Sequence, residues 1–418
     1  MITALLAAAA VLLTIALPTF PDGLSAPILA YLALCGLAGV GGLLRSAAAR
    51  AQLVLLAPWM LALGVALLVG LLHGNLALQA LEDALPYFLF VLGLTAGRGS
   101  GSPRLVLAAL ILVALADGLH SLWLMETFDL SRVRSTYYSH KVILGHLLIG
   151  LYAAALLRTL TPSASRLRRG ALALAFGLLV AAVIATVSRG MVLGLSLGLF
   201  AALAIRRPVR GLGVLVLAAV ALTIYASTFW DLGRSYLRLG SSATVDGRVR
   251  EIQTCLEEFF GSPAFGRGLG AEIVVEGFYV TYVHNMLAYH LWKFGVLGSG
   301  LLALPFFSLA RQALRASRGL RPTIVGGALS VALYLVTAAA YKSYILVMIV
   351  GLAIGATLAI VAESRDEPTD EPTDEAKDGS TGSRGAKDGS RGSRSGGRRR
   401  ASAGRPGPGA AIPPAAAS

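Results

Sequence analysis

The chain has 418 residues, of which 56% are hydrophobic and 14% are charged, and its mean hydropathy is +0.72. A soluble domain carries roughly 25% charged residues, so this composition excludes an ordinary water-soluble protein. The formal net charge of +14 raises the class of nucleic-acid-binding proteins. The excess positive charge lies in short links between apolar runs, however, so we expect no nucleic-acid partner. Cys35 and Cys255 lie far apart in sequence and indicate neither a disulfide framework nor a zinc site.

Apolar runs of about 16 to 20 residues recur along the chain and predict an all-α, polytopic inner-membrane protein with about twelve transmembrane helices. The predicted spans cover residues 2–17, 27–44, 53–72, 80–97, 104–122, 142–158, 170–187, 190–205, 211–228, 294–311, 323–340 and 343–361. The first run lacks a basic start and a clear cleavage site, so we interpret it as a retained span rather than a signal peptide.

The charges in the links predict the orientation. With the N-terminus inside, the inner links contain arginines and no acidic residue, and the acidic residues before Glu363 fall in or beside outer links. Cytoplasmic loops are enriched in Lys and Arg, so this pattern places both termini inside and the long polar link 229–293 outside, facing the periplasm. We therefore predict a transmembrane domain over 1–362 and a low-complexity, disordered cytoplasmic tail over 363–418.

Some basic residues fall on the predicted outer side against this bias, and such cations suit an anionic ligand at the membrane surface. They are Arg132, Arg134, Lys141, Arg189, Arg234, Arg238, Arg248, Arg250, Arg267, Lys293 and Lys342. Arg189 is the most informative, because it lies between two apolar runs with almost no link around it, where a charge indicates function. The structural alternative is an interfacial arginine whose side chain extends to lipid headgroups.

The long link contains further local signals. Residues 252–260 have apolar positions at helical spacing and predict a short amphipathic helix on the membrane surface. It follows Arg248 and Arg250, and 261–263 (Gly-Ser-Pro) should end it. Arg250 has the alternative of pairing with a nearby acid. Residues 266–270, of pattern Gly-x-Gly-x-Gly, predict a flexible turn rather than a nucleotide loop, because no strand precedes them.

His284 stands at the predicted water–membrane boundary beside Asn285, where an imidazole can act as a general base near neutral pH. A lone histidine is more often structural. His284 leads into a predicted helix over 285–292, and we interpret His290, deeper in that helix, as a packing residue. His140 and His146 are weaker candidates because they precede or enter a span.

Metal and nucleotide sites have little support. Glu82 and Asp83 form an acidic pair at an outer span end, which alone is weak evidence for a metal site. The chain contains no His-Glu-x-x-His motif, P-loop or nucleophile elbow.

Three motifs in this order resemble the O-antigen ligase and O-antigen polymerase superfamily of bacterial membrane glycosyltransferases. They are Ser188-Arg189-Gly190 between two spans, then Gly247-Arg248 before the amphipathic helix with Ser262-Pro263 and Gly266-x-Gly268-x-Gly270 after it, and finally His284-Asn285 with Leu287 and Phe294-Gly295-x-x-Gly298. The resemblance covers about residues 186–300. Ile252 departs from it, since the family often has an aromatic residue there.

The resemblance implies transfer of a glycan from an undecaprenyl diphosphate carrier to an acceptor sugar hydroxyl at the outer face of the membrane. Arg189 and Arg248 would stabilise the charge that develops on the leaving diphosphate, and His284 would accept the hydroxyl proton. The candidate substrate-binding residues are Arg134, Lys141, Arg250 and Asn285. Because arginines would neutralise the diphosphate, we expect no metal and no cofactor.

Several readings stay open at this point. Ligation to a lipid A–core acceptor, in lipopolysaccharide biosynthesis, is favoured because one long outer link carries both Arg248 and His284, which suits one lid over two lipid-anchored substrates. The alternative is an O-antigen or exopolysaccharide polymerase, whose acceptor is the growing glycan. A transporter of lipid-linked sugars would have a similar number of spans, but would more often show internal repeats, broken helices and charges deep in spans, none of which is clear in the sequence. A non-catalytic membrane scaffold would need neither Arg189 nor the long outer link.

Overall fold

A computed structural model describes residues 1–17, 26–127, 145–161, 165–185, 188–209, 242–275 and 277–366. The described chain is nearly all helical. Its helices are α1 (Ile2–Leu13), α2 (Ala26–Arg45), α3 (Ala47–Leu55), α4 (Ala57–Leu72), α5 (Ala77–Arg98), α6 (Pro103–Thr127), α7 (Gly145–Leu160), α8 (Arg166–Ala185), α9 (Arg189–Arg206), α10 (Ser242–Gly261), α11 (Met286–Leu314), α12 (Arg321–Thr337) and α13 (Tyr344–Asp366), with 3-10 turns at Thr14–Ala16 and Ala339–Lys342. Strands β1 (Ile273–Val275) and β2 (Phe278–Val280) form a short antiparallel hairpin, which the all-helical prediction did not include.

Six of the described helices are long and apolar enough to cross a membrane, or seven if the bent pair α3 and α4 counts as one span. Helices α1, α7, α9 and α12 are also apolar but shorter. The chain is therefore a helical membrane protein, as predicted, whereas the number of twelve spans stays a prediction. The ninth predicted span, 211–228, lies outside the described residues.

Glycines bring α5 and α13 into close contact. Gly93 and Gly97 on α5 face α13, and Gly351 and Gly355 on α13 face α5. A Cβ atom at Gly97 would lie 2.4 Å from a carbonyl oxygen of α13, and one at Gly355 would lie 2.3 Å from a carbonyl oxygen of α5. Two glycines four residues apart on each helix therefore let the backbones meet, which is a common way of packing helices in a membrane.

The boundaries of the long link differ from the prediction at two points. Helix α10 begins at Ser242, where the sequence predicted a start at 252, and it ends at Gly261 as expected. Helix α11 begins at Met286, near the start of the predicted helix 285–292, which the structure joins to the predicted span 294–311. Asn285 caps this helix: its side-chain oxygen accepts a hydrogen bond from the Ala288 amide at 2.9 Å. Residues 229–241, with Arg234 and Arg238, lie outside the described residues.

The last helix and the tail bear on the predicted domain boundary. Helix α13 continues to Asp366, beyond the predicted boundary at 362. The remainder of the tail lies outside the described residues, so its disorder stays a prediction.

Helix α11 is broken at Gly295, whose φ of 62° and ψ of −171° are not helical. A break in an apolar helix leaves backbone groups that need partners elsewhere in the protein. The link after α10 supplies acceptors for the second half of the helix. The Val296 amide donates to the Pro263 carbonyl at 2.9 Å, and the Leu297 amide donates to the Ala264 carbonyl at 3.1 Å.

Residues 266–270, which we call the glycine segment, supply donors for the first half. The Arg267 amide donates to the Trp292 carbonyl at 2.8 Å, and the Gly268 amide donates to the Lys293 carbonyl at 3.0 Å. Gly268 has a φ of 80°, and a Cβ atom there would lie 2.1 Å from the backbone nitrogen of Gly70. The glycine segment is therefore packed between α4 and α11, and the prediction of a free, flexible turn is wrong.

This packing makes Gly268 sensitive to substitution. We expect Gly268→Ala to lower the thermal unfolding temperature strongly in detergent, because the new Cβ atom meets the Gly70 backbone and the positive φ adds about 1–2 kcal/mol of strain. Gly74→Ala is the matched control, since Gly74 has a similar φ of 79° with no atom within 4 Å of its Cβ position. Equal unfolding temperatures for the two variants would contradict the packed arrangement.

Candidate functional site

His284 is paired with Glu251, a residue that the sequence analysis did not single out. Nδ1 of His284 lies 3.0 Å from Oε1 and 3.1 Å from Oε2 of Glu251, and the His284 backbone amide donates to Oε2 at 2.9 Å. A carboxylate at Nδ1 favours the proton on that nitrogen, which leaves Nε2 of a neutral imidazole as the proton acceptor. The His284 side chain is 41% exposed. The pair therefore has the arrangement of an oriented general base that solvent can reach.

Arg248 lies one turn before Glu251 on α10, and its side chain is exposed. Burial alone would raise the pKa of the Glu251 carboxyl, but hydrogen bonds from His284 and the nearby charge of Arg248 outweigh burial and hold that pKa below its ordinary value of 4.5. A lowered carboxyl pKa stabilises the fold above the ordinary pKa, and this contribution is lost as the pH falls through the lowered value. Glu251 is therefore ionised, and able to orient His284, throughout the neutral range.

Tyr341 fixes the backbone immediately before His284. Its hydroxyl donates to the Val283 carbonyl at 2.6 Å and lies 3.4 Å from the Val283 amide, which donates to it. Tyr341 is 7% exposed and belongs to the 3-10 turn between α12 and α13. The base is therefore held from two elements, α10 through Glu251 and this turn through Tyr341.

The structure describes only the backbone at Arg189, which is the first residue of α9. The next residue, Gly190, packs on the end of α12: a Cβ atom there would lie 2.7 Å from Oγ1 of Thr337. The start of α9 thus reaches the end of α12, which leads through Ala338 into the turn that carries Tyr341.

Of the four predicted substrate-binding residues, the structure describes two. Arg250 is exposed on α10, and Asn285 caps α11 as described above. Contacts of these residues with substrate stay a prediction. Arg134 and Lys141 lie outside the described residues, as do Arg132 and His140.

A second, buried cluster of charges joins α5, α11 and the 3-10 turn. Asp83 of α5 is 1% exposed. Its Oδ2 accepts from Lys293 Nζ at 2.7 Å and from the Gly270 amide at 2.8 Å. Its Oδ1 accepts from Lys342 Nζ, and Lys293 Nζ also donates to the Ala271 carbonyl. One carboxylate therefore connects two spans, the glycine segment and the turn before α13.

Aromatic rings enclose the ammonium groups of this cluster. Lys293 Nζ lies 4.4 Å from the ring centre of Trp292 and 5.6 Å from that of Tyr289. Lys342 Nζ lies 5.5 Å from the Tyr289 ring centre. Cations over aromatic faces are favourable when removed from water, so the rings stabilise both ammonium groups where they lie.

The cluster changes the interpretation of Lys293 and Asp83 that was made from the sequence. Lys293 was grouped with the cations available at the outer surface, but it is fully buried at 0% exposure and is paired with Asp83. Asp83, considered with Glu82 as a possible metal ligand, has both carboxylate oxygens occupied by ammonium groups. Arg267, another of the predicted cations, pairs with Glu258 at 2.7 Å.

Two further histidines, His146 and His290, and both cysteines are more deeply placed than His284. His290 is half-buried against Tyr87, whose hydroxyl lies 2.8 Å from its Nε2, so it packs as predicted. His146 is 2% exposed, and its Nδ1 lies 2.6 Å from Oδ2 of Asp117. Cys35 and Cys255 are both buried free thiols. Burial raises the pKa of Cys255 to about 12, so its thiol is protonated at neutral pH and is not a nucleophile.

Among the residues that the structure describes, no group of three or more His, Cys, Asp or Glu side chains is placed to hold a metal ion. Independence from metal stays a prediction. No protein-family model and no curated protein sequence matches the chain.

Proposed function

We propose that this protein is an inner-membrane glycosyltransferase that moves a glycan from an undecaprenyl diphosphate carrier to an acceptor sugar hydroxyl on the periplasmic side. The observation that carries the proposal is the hydrogen-bonded pair of His284 and Glu251, with Arg248 one turn away on the same helix. Such a transfer needs a base at the acceptor hydroxyl oxygen, which loses a proton, and a cation at the phosphate oxygen, which leaves with the carrier.

The proposed reaction proceeds in one displacement. The acceptor hydroxyl oxygen attacks the anomeric carbon of the donor sugar, and its proton passes to Nε2 of His284 while Glu251 stabilises the imidazolium that forms. The bond between the anomeric carbon and the phosphate oxygen breaks, and the carrier leaves as undecaprenyl diphosphate. Arg248 and Arg189 stabilise the negative charge that develops on this leaving group.

One finding favours a second candidate, a transporter of lipid-linked sugars. The structure contains the broken helix α11 and the buried charges of Asp83 and Lys293, which the sequence did not show clearly and which are more typical of transporters. At this break, however, the freed backbone groups are bound by the link after α10. A transporter needs such groups for its substrate, so we favour the enzyme.

An assay with purified protein separates the two candidates. A lipid-linked donor and an acceptor in detergent give a new glycosidic product only if the protein is an enzyme, because detergent leaves no compartments for transport. Product formation should persist in excess EDTA, as expected for a site without metal. Transport of the donor across liposomes, without product, would support the transporter.

Within the enzyme class, we favour ligation onto lipid A–core over polymerisation. Deleting the gene from its host should then leave full-length polymer on the undecaprenyl carrier and a bare core on the lipopolysaccharide. This result is read by separating lipid-linked and core-linked glycans on gels. A core capped by one repeat unit would instead identify the polymerase and leave the transfer mechanism standing.

A further inference from the structure

We propose that Lys342 is a further phosphate-binding cation of this site, which holds the diphosphate of the donor together with Arg189 and Arg248. The inference rests on the proposed function and extends it to a residue of the 3-10 turn, Ala339–Lys342. Its substrate class is a lipid-linked diphosphate, and the interaction is a charge-assisted hydrogen bond from the ammonium group to a phosphate oxygen.

The buried cluster has more positive than negative charge. Two ammonium groups, Lys293 and Lys342, share the single carboxylate of Asp83. Lys293 is fully buried and also donates to the Ala271 carbonyl, so it is fixed in place as the neutralising partner. Lys342 then supplies the surplus positive charge. A surplus charge near the hydrocarbon is costly unless an anion balances it, so it indicates a function.

Lys342 is also the accessible member of the cluster. Its side chain is 18% exposed, whereas those of Lys293 and Asp83 are 0% and 2% exposed. An ammonium group has three donors, and only one is needed for Asp83 Oδ1. Asp83 can therefore aim the Lys342 side chain while leaving donors for an incoming ligand.

The turn places Lys342 near the parts of the site that would bind the donor. Tyr341, the preceding residue, bonds to the backbone of Val283 directly before His284. Two residues before the turn, Thr337 at the end of α12 meets Gly190, which follows Arg189. Lys342 is thus tied through its neighbours in the chain both to the proposed base and to the start of α9.

The test measures binding of undecaprenyl diphosphate to purified full-length protein, by native mass spectrometry or by the rise in thermal unfolding temperature. We expect Lys342→Gln to bind it at least about tenfold more weakly than the wild type. Lys342→Arg should retain most of the binding, because it keeps the charge. Arg318→Gln is the matched control, since it removes one exposed positive charge from the opposite, predicted cytoplasmic side.

Measuring the binding of three lipids shows whether Lys342 contacts the diphosphate, the polyprenyl chain or any lipid phosphate. Undecaprenol has the same chain without the diphosphate, and phosphatidylglycerol offers an ordinary lipid phosphate. The proposal requires the loss in Lys342→Gln to be confined to undecaprenyl diphosphate. An equal loss for phosphatidylglycerol would show a general headgroup contact and overturn it.

The remaining outcomes show whether the role of Lys342 or the proposed enzyme function is wrong. If the wild type binds undecaprenyl diphosphate and Lys342→Gln binds it equally well, the role of Lys342 is overturned and the enzyme proposal stands. If the wild type does not bind it, both are overturned. Should Lys342→Gln fail to fold, reductive methylation of the wild type decides: protection of Lys342 by undecaprenyl diphosphate, and not by undecaprenol, supports the proposal, and equal labelling refutes it.

Discussion

His284→Ala is expected to reduce glycan transfer by about 10²–10⁴-fold while the protein still inserts into the membrane. The reason is the loss of the proposed proton acceptor, whose side chain is 41% exposed. The measurement is product formation by purified protein from a lipid-linked donor at saturating acceptor. His73→Ala is a matched control, because His73 is an exposed histidine at the end of α4 and has no carboxylate partner among the residues that the structure describes.

Glu251→Gln tests the same base through its partner. The amide keeps the shape of the side chain but cannot stabilise the imidazolium, so we expect a smaller loss of transfer than in His284→Ala. In the His284→Ala background, Glu251→Gln should cost little more, since residues that act as a unit are not additive. Full transfer by His284→Ala at normal expression would remove His284 from the mechanism, and independent losses in the double variant would separate the two residues.

The helical membrane fold was predictable because apolar runs of span length are a local signal. Apolar residues at helical spacing predicted the second half of α10, and the Gly-Ser-Pro sequence predicted its end near Gly261. These local signals could not show that the helix starting at Met286 continues into the next span through a break at Gly295, because the break depends on carbonyls at Pro263 and Ala264. Those partners are brought there only by the folded link, so Gly295 looked like an ordinary glycine in a helix.

The site was predictable only in part, for a similar reason. His284 stood out by its position at a predicted boundary. Glu251 was hidden among the charges of an amphipathic helix, 33 residues away in the chain. Lys293 and Asp83 offered a signal that could have been used: each is a charge within an apolar stretch, and opposite charges in two spans often pair. Their sequence separation of 210 residues leaves the choice of partner to the tertiary structure.

Asp83→Ala is expected to have the largest effect on stability. Asp83 is buried, and its removal leaves the ammonium groups of Lys293 and Lys342 without their shared carboxylate and the Gly270 amide without its acceptor. Breaking a buried pair by removing one partner costs about 3–5 kcal/mol, because an uncompensated charge stays behind. We therefore expect a large fall in the folded yield and in the thermal unfolding temperature, measured by fluorescence-detected size exclusion in detergent.

Two further variants show whether the unpaired buried charge causes the loss of stability in Asp83→Ala. Glu82→Ala changes the adjacent, exposed acid and should leave stability near that of the wild type. Asp83→Ala combined with Lys293→Met removes both fully buried partners, and it should recover much of the loss because a buried pair can often be replaced by apolar side chains. Lys342, which is 18% exposed, can turn towards solvent in that background. If the double variant is no more stable than Asp83→Ala alone, the loss comes from the unpaired Gly270 amide and the glycine segment rather than from the buried charge of Lys293.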